Sequence, residues 1–153
     1  MKLALSADHR GVTATRQLAD RLKGQGHDVT VYGNMTGEMC DYPEPACLVG
    51  KAVSNKQADL GILICGSGIG MCIAANKVKG VRAALVHDEL TAEMARSHND
   101  ANVLCMSADL LGQRLIEKIV DVFLSTNFQG GRHERRVRKI TAIENGQDPA
   151  SVA

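Results

Sequence analysis

Cys65 opens the run Cys65-Gly66-Ser67-Gly68-Ile69-Gly70, directly after the apolar stretch Leu60-Gly61-Ile62-Leu63-Ile64. Glycines at alternate positions between a buried strand and a helix start let successive backbone N–H groups converge on an anion, reinforced by the helix dipole. The run is not the dinucleotide fingerprint, which needs glycine where Met71 stands, and it lacks the Gly-Lys-Ser/Thr of a P-loop. It reads as an oxyanion or phosphate cradle; a tight strand-to-helix turn with no ligand is the alternative. A cysteine at the mouth of such a cradle is expected to have its pKa lowered from about 8.5, giving a base near neutral pH. On spacing alone Cys65 is equally a small buried apolar thiol, the reading that suits Cys47, Cys72 and Cys105.

Two further groups carry chemistry. His98-Asn99-Asp100 follows a helical pattern and precedes an apolar strand, so its side chains are expected to reach the same end of a sheet as Cys65, where a histidine can move a proton. A helix-terminal histidine that interacts only with the dipole is the alternative. Arg132 and Arg136 stand four apart, on one helix face, able to grip one phosphate together, while Arg135 and Arg138 point elsewhere. A solvated basic face is the alternative. His27 and His87 have no such setting and read as structural.

These residues need elements to position them, and the pattern of the chain supplies a β-α repeat. Strands are expected at Leu3–Leu5, Val29–Tyr32, Leu60–Ile64, Arg82–Val86 and Val103–Met106. Helices are expected around Val12–Leu22, Glu44–Asn55, through Ala74–Asn76, from Leu90, through Leu111–Val122, and over Arg132–Ile143. The order predicts an α/β fold: a doubly wound, Rossmann-like, five-stranded parallel sheet with helices on both faces. Ligands bind beyond the carboxyl ends of such strands. The loops after strands one, three and five therefore matter most: Asp8-His9-Arg10-Gly11, Cys65-Gly66-Ser67-Gly68 and Ser107-Ala108-Asp109.

With 153 residues the chain suits a single domain over 1–153, the last ten or so residues forming a flexible tail. A formal net charge of +1 supplies no global field for nucleic acid or an anionic membrane, so an anion site must be built locally. Asp8 interrupts the N-terminal apolar stretch too early for a signal-peptide core, and no apolar run reaches membrane-spanning length, so a cytoplasmic protein is expected. Five cysteines without a C-x-x-C pair suit reduced thiols better than a disulfide framework or a zinc site.

Taken together the blocks Asp8-His9-x-Gly11, Asp41-Tyr42-Pro43, Cys65 to Gly70 with Ala74-Ala75-Asn76-Lys77, Gly80-Val81-Arg82-Ala83-Ala84, His98 to Asn102 and Gly130-Gly131-Arg132-His133 resemble the type B ribose-5-phosphate isomerases. The wider family includes the galactose-6-phosphate isomerase subunits. The resemblance implies an aldose-ketose isomerase that needs no metal or cofactor. Cys65 would move a proton between sugar carbons one and two, His98 would help open the furanose ring, and Ser67 would handle hydroxyl protons. Asp8 and Asn99 would bind sugar oxygens, and His9, Arg132 and Arg136 the phosphate. Backbone N–H groups across Gly66, Gly68, Ile69 and Gly70 would face the enediolate. It implies a homodimer or a dimer of dimers with shared active sites, the C-terminal helix reaching a partner subunit.

The chain also departs from the family pattern. Met71 stands where some relatives carry a glutamate base, which strengthens the case for Cys65; Ser67 stands where many carry threonine; Asp109 stands where several carry a phosphate-binding arginine. Arg10, beside His9, is a candidate to replace that charge; an outward-facing arginine is the alternative. The same chemistry on allose 6-phosphate, galactose 6-phosphate or a tetrulose phosphate is the nearest rival reading. A non-catalytic nucleotide or sugar-phosphate sensor is the rival from another class.

Overall fold

A computed structural model describes residues 1–152. Its strands are β1 (Lys2–Ala7), β2 (Asp28–Val31), β3 (Leu60–Cys65), β4 (Ala83–Leu85) and β5 (Val103–Ser107). All pairings are parallel and the spatial order is β2-β1-β3-β5-β4. Every residue of β3 and β5 is buried, because a central parallel strand is covered on both faces.

Side chains alternate between the two faces of a strand, so each strand feeds two cores. Leu3, Leu5, Ile62, Ile64, Leu104 and Met106 join one core with residues of α1 (Val12–Gly24), α4 (Glu89–Asn99) and α5 (Gln113–Ser125). Ala4, Leu63, Cys65, Val103 and Cys105 join the other with residues of α2 (Pro43–Ser54) and α3 (Ile69–Ala75). The expected doubly wound sheet is thus present. β4 forms one sheet edge, where Asn76 caps it: the Asn76 side chain donates to Ala83 O at 2.9 Å and accepts from Ala83 N at 2.9 Å.

Beyond α5 the chain turns through Gly130 and Gly131, both with positive φ, into α6 (Arg132–Glu144), which packs against α4. A short 3-10 turn at Pro149–Ser151 follows and contacts α6. Among the described residues no helix is long and apolar enough to cross a membrane.

Candidate active site

The sheet reverses direction between β1 and β3, since β2 lies outward on one side and β5 and β4 on the other. In open α/β sheets the crevice forms at that switch point. Here the three loops singled out in the sequence meet. Asp8 N donates to Ile64 O at 3.3 Å, Ala108 N to Cys65 O at 2.8 Å and Asp109 N to Gly66 O at 3.1 Å.

Asp8 shapes the first loop itself, accepting at Oδ1 from Arg10 N (2.9 Å) and Gly11 N (3.2 Å). Gly11 is required because a side chain there would run into the backbone of Ile64. His9 follows half-buried, its Nδ1 buried without a hydrogen-bond partner.

Cys65 ends β3 with 3% of its surface exposed. Gly68 N donates to its sulfur at 3.1 Å, and the backbone amides of Met71 and Ser67 also favour the thiolate. Burial outweighs them, and Asp8 adds to it, so the thiol is pushed above its ordinary range. This corrects the expectation of a lowered pKa: α3 is one short helix, and its end does not compensate the loss of water. The lowered thiol is instead Cys72, at about 7, chiefly through a hydrogen bond from Cys105, with help from the Leu85 backbone and Asn76.

The cradle is partly occupied by its own side chains. Gly68 N serves the sulfur, and Ile69 N donates to the exposed Ser67 Oγ at 3.3 Å. Gly68 sits at φ +77, and a side chain there would meet Leu85 and Met106. Gly70 lies under the ring of Tyr42, which a β-carbon would approach to 2.5 Å. Over Gly66 lies an ion pair that spans the β1 and β5 loops. Arg10 Nε reaches both carboxylate oxygens of Asp109, at 2.9 and 2.8 Å, and Nη2 reaches Oδ1 at 2.7 Å. Arg10 is thus not a free cation awaiting phosphate; it is held by the residue whose charge it was expected to offset.

The second group of candidates is assembled elsewhere. Asp88 caps α4 at the carboxyl end of the sheet, accepting from Thr91 N at 2.7 Å, and the helix runs back antiparallel to the strands. Its last turn, carrying His98 and Asn99, returns toward the amino end, where Asn99 O accepts from Arg82 Nε at 3.0 Å. Asp100 bridges Arg82 and Arg96, both at 2.8 Å, and fixes that turn. His98 therefore does not share the end of the sheet with Cys65 within one subunit, contrary to the sequence expectation. β3 alone spans six residues, roughly 17 Å of strand, and Cys65 faces the α2/α3 layer while α4 lies on the opposite face.

The second half-site joins α4 to α6. His98 stacks on His133 with ring centroids 4.1 Å apart and planes 7° from parallel. Arg132 Nε donates to His133 Nε2 at 3.3 Å. His98, Asn99, His133 and Arg136 line a cavity of about 190 Å³ together with Val137 and Ile140. Arg138 turns away to Glu134, 3.9 Å distant. Tyr42 on Gly70 and His133 on His98 are the two residues that sequence reasoning left without a role. Both stood inside quoted motif blocks, which was their only signal. Among the described residues no group of three or more His, Cys, Asp or Glu side chains is disposed to hold a metal ion.

Residues 3–140 match the family model described as Ribose/Galactose Isomerase. The chain is 41% identical over 143 residues to the ribose-5-phosphate isomerase B of Escherichia coli, covering 94% of this chain and 96% of that protein. The solved ribose-5-phosphate isomerase B of Clostridium thermocellum superposes with a TM-score of 0.94 at 44% identity, covering 95% and 99% of the two chains. That of Mycoplasma genitalium, solved with bound ribulose 5-phosphate, superposes with a TM-score of 0.90 at 46% identity, covering 94% and 96%.

Proposed function

The chain belongs to the ribose/galactose isomerase family, and from that premise we infer that it interconverts ribose 5-phosphate and ribulose 5-phosphate as an aldose-ketose isomerase, with Cys65 as the base. The observation that carries the reading is the Cys65 sulfur at the sheet's switch point, 3.1 Å from an amide N–H and flanked by Asp8 and Ser67. It is supported by the relative of the same fold that holds ribulose 5-phosphate.

In this reading His98 assists opening of the furanose, which exposes the carbonyl at carbon one and makes the proton on carbon two acidic. The Cys65 thiolate takes that proton, the electrons pass to the carbonyl oxygen, and the enediolate forms. Backbone amides of the Gly66–Gly70 turn that are not already engaged stabilise its negative charge. Cys65 then returns the proton to carbon one, while Ser67 moves a proton between the two oxygens. Asp8 and Asn99 hold sugar hydroxyls, and His9, Arg132 and Arg136 hold the phosphate. Because burial raises the Cys65 pKa, the thiolate is a minor species at neutral pH and the rate climbs with pH as it accumulates.

The two half-sites lie on opposite faces of one subunit, so the reading requires a second copy of the chain. One subunit supplies Cys65, Ser67, Asp8 and His9, and its partner supplies the His98, Asn99, Arg132 and Arg136 set carried by α4 and α6. Exposed apolar residues flank both halves: Tyr42, Ile69 and Ile73 beside the cradle, and Met94, Ile140 and Ile143 beside the histidine stack. Apolar surface of this kind is what an isologous dimer buries.

Formation of ribulose 5-phosphate from ribose 5-phosphate, followed beside allose 6-phosphate, galactose 6-phosphate and a four-carbon substrate, tests the assignment. Ribose 5-phosphate should be the preferred substrate, and Cys65→Ala should abolish turnover while sparing folding and binding. Near-normal turnover by that variant would remove Cys65 from the chemistry; preference for another sugar would move the substrate within the family.

A further inference from the structure

We propose that His133 is the positioning residue for His98: a buried, neutral imidazole that sets the plane of the His98 ring and leaves His98 as the member of the pair that carries the proton. The inference rests on the reading of His98 as the group that assists ring opening.

The two rings come from different helices, yet they lie 4.1 Å apart and within 7° of parallel. Only 5% of His133 is exposed, whereas His98 is half-buried and lines the cavity. The turn before α6 is built to place His133 there. Gly130 and Gly131 take φ values of +64 and +56, which a residue with a β-carbon adopts at a cost. Gln129 N donates to Ser97 O at 3.0 Å, tying the turn to α4, and His133 N donates to Gly130 O at 3.0 Å.

The hydrogen bond from Arg132 fixes the chemistry of the stack. A guanidinium only donates, so His133 Nε2 must present its lone pair, and the ring is then neutral with its proton on Nδ1. The groups facing His133 are His98 from α4 and Arg132 and Arg136 from α6. No carboxylate lines the cavity. A proton on Nε2 would break the Arg132 bond and add a positive charge against two arginines and a stacked histidine. Burial, His98 and the two arginines accordingly push the His133 pKa below its ordinary value. His133 is therefore not the member of the pair that delivers a proton, and His98 is the ring that lines the cavity beside it.

Two variants separate this role from packing and from direct chemistry. His133→Phe keeps a flat neutral ring under His98, and His133→Ala removes it. The expected result is a kcat lowered by about tenfold or more in His133→Ala, the scale on which a misplaced catalytic group costs rate. The acidic limb of its kcat profile should also shift, whereas His133→Phe keeps both near wild type. Both variants should share any rise in KM that follows from loosening Arg132. Equal loss of kcat in the two variants would mean that an imidazole nitrogen of His133 is itself needed, and no loss in either would mean that the stack does not position His98; each overturns the proposal. Long-range proton-nitrogen NMR of the full chain reads the tautomer without substrate. Neutral His133 with the proton on Nδ1 at pH 7 is expected, and a protonated or Nε2-H ring would overturn the proposal even if the chain proved inactive on ribose 5-phosphate. Retained tautomer with an inactive wild-type chain would instead count against the isomerase reading alone.

Discussion

Gly68 donates its backbone N–H to the sulfur of Cys65 at 3.1 Å, across a turn in which Gly68 holds φ at +77. A β-carbon at residue 68 would lie 2.6 Å from Leu85 Cδ1 and 2.9 Å from the Met106 backbone. Gly68→Ala must therefore shift the turn and carry the amide away from the sulfur. A hydrogen bond to a charged group is worth about 1.5–3 kcal/mol, so kcat should fall by about one to two orders of magnitude in a steady-state assay, with the Cys65 thiol titrating still higher.

Thiol reactivity should invert the order expected from the sequence. Cys72 is partly exposed and titrates at about 7, whereas burial holds Cys65 above its ordinary range. Alkylation with iodoacetamide at pH 7 followed by peptide mapping should modify Cys72 before Cys65, and labelling of Cys65 should accelerate as the pH is raised. Cys72→Ser should remove the early product and leave the late one.

The pair of Arg10 and Asp109 is more than one-third exposed on both sides, 56% and 42%, so it contributes little to stability. Its effect should fall on the phosphate. Asp109 occupies the Nε and Nη2 edge of Arg10, so removing the carboxylate frees a cation beside the cradle. Asp109→Ala should lower KM for ribose 5-phosphate several-fold with kcat little changed. Arg10→Ala should leave KM unchanged, and a rise in KM in both variants would show that Asp109 holds Arg10 in place as a phosphate ligand.

The buried His133 also gives stability a pH dependence of known sign. Its folded pKa lies below the unfolded value of about 6.5, so the unfolded chain binds the extra proton more readily. The contribution is fully retained above pH 6.5 and is lost as pH falls from there through the folded pKa. Thermal midpoints measured between pH 5 and pH 8 should drop on the acidic side, and His133→Phe should flatten that part of the curve.

Much of the architecture was legible because its residues answer to local rules. The apolar run Leu60–Ile64 could only be a covered central strand, and the glycines after Cys65 marked the turn at its end. The convergence of the loops after β1, β3 and β5 followed from the parallel sheet alone. What escaped was direction and burial. His98 precedes β5 in sequence, but a crossover helix runs back along the sheet, so its last turn returns to the amino end. The Cys65 pKa depends on how completely α2 and α3 cover the sulfur, which no spacing encodes. The stack of His98 on His133 joins helices separated by a whole β-α unit, and only folding brings the two rings together.

The central claim is that Cys65 of one copy and His98 of another act on the same sugar, and mixing two inactive variants tests it most directly. Cys65→Ala and His98→Asn, each purified as an inactive protein, are unfolded together in equal amounts, refolded and assayed with ribose 5-phosphate. Half of the dimers then carry one subunit of each kind. A shared site gives each mixed dimer one intact centre of two, so about a quarter of wild-type activity should return. If the mixture stays as inactive as its components while the variants demonstrably form mixed dimers, Cys65 and His98 do not meet across a subunit boundary and the account is wrong.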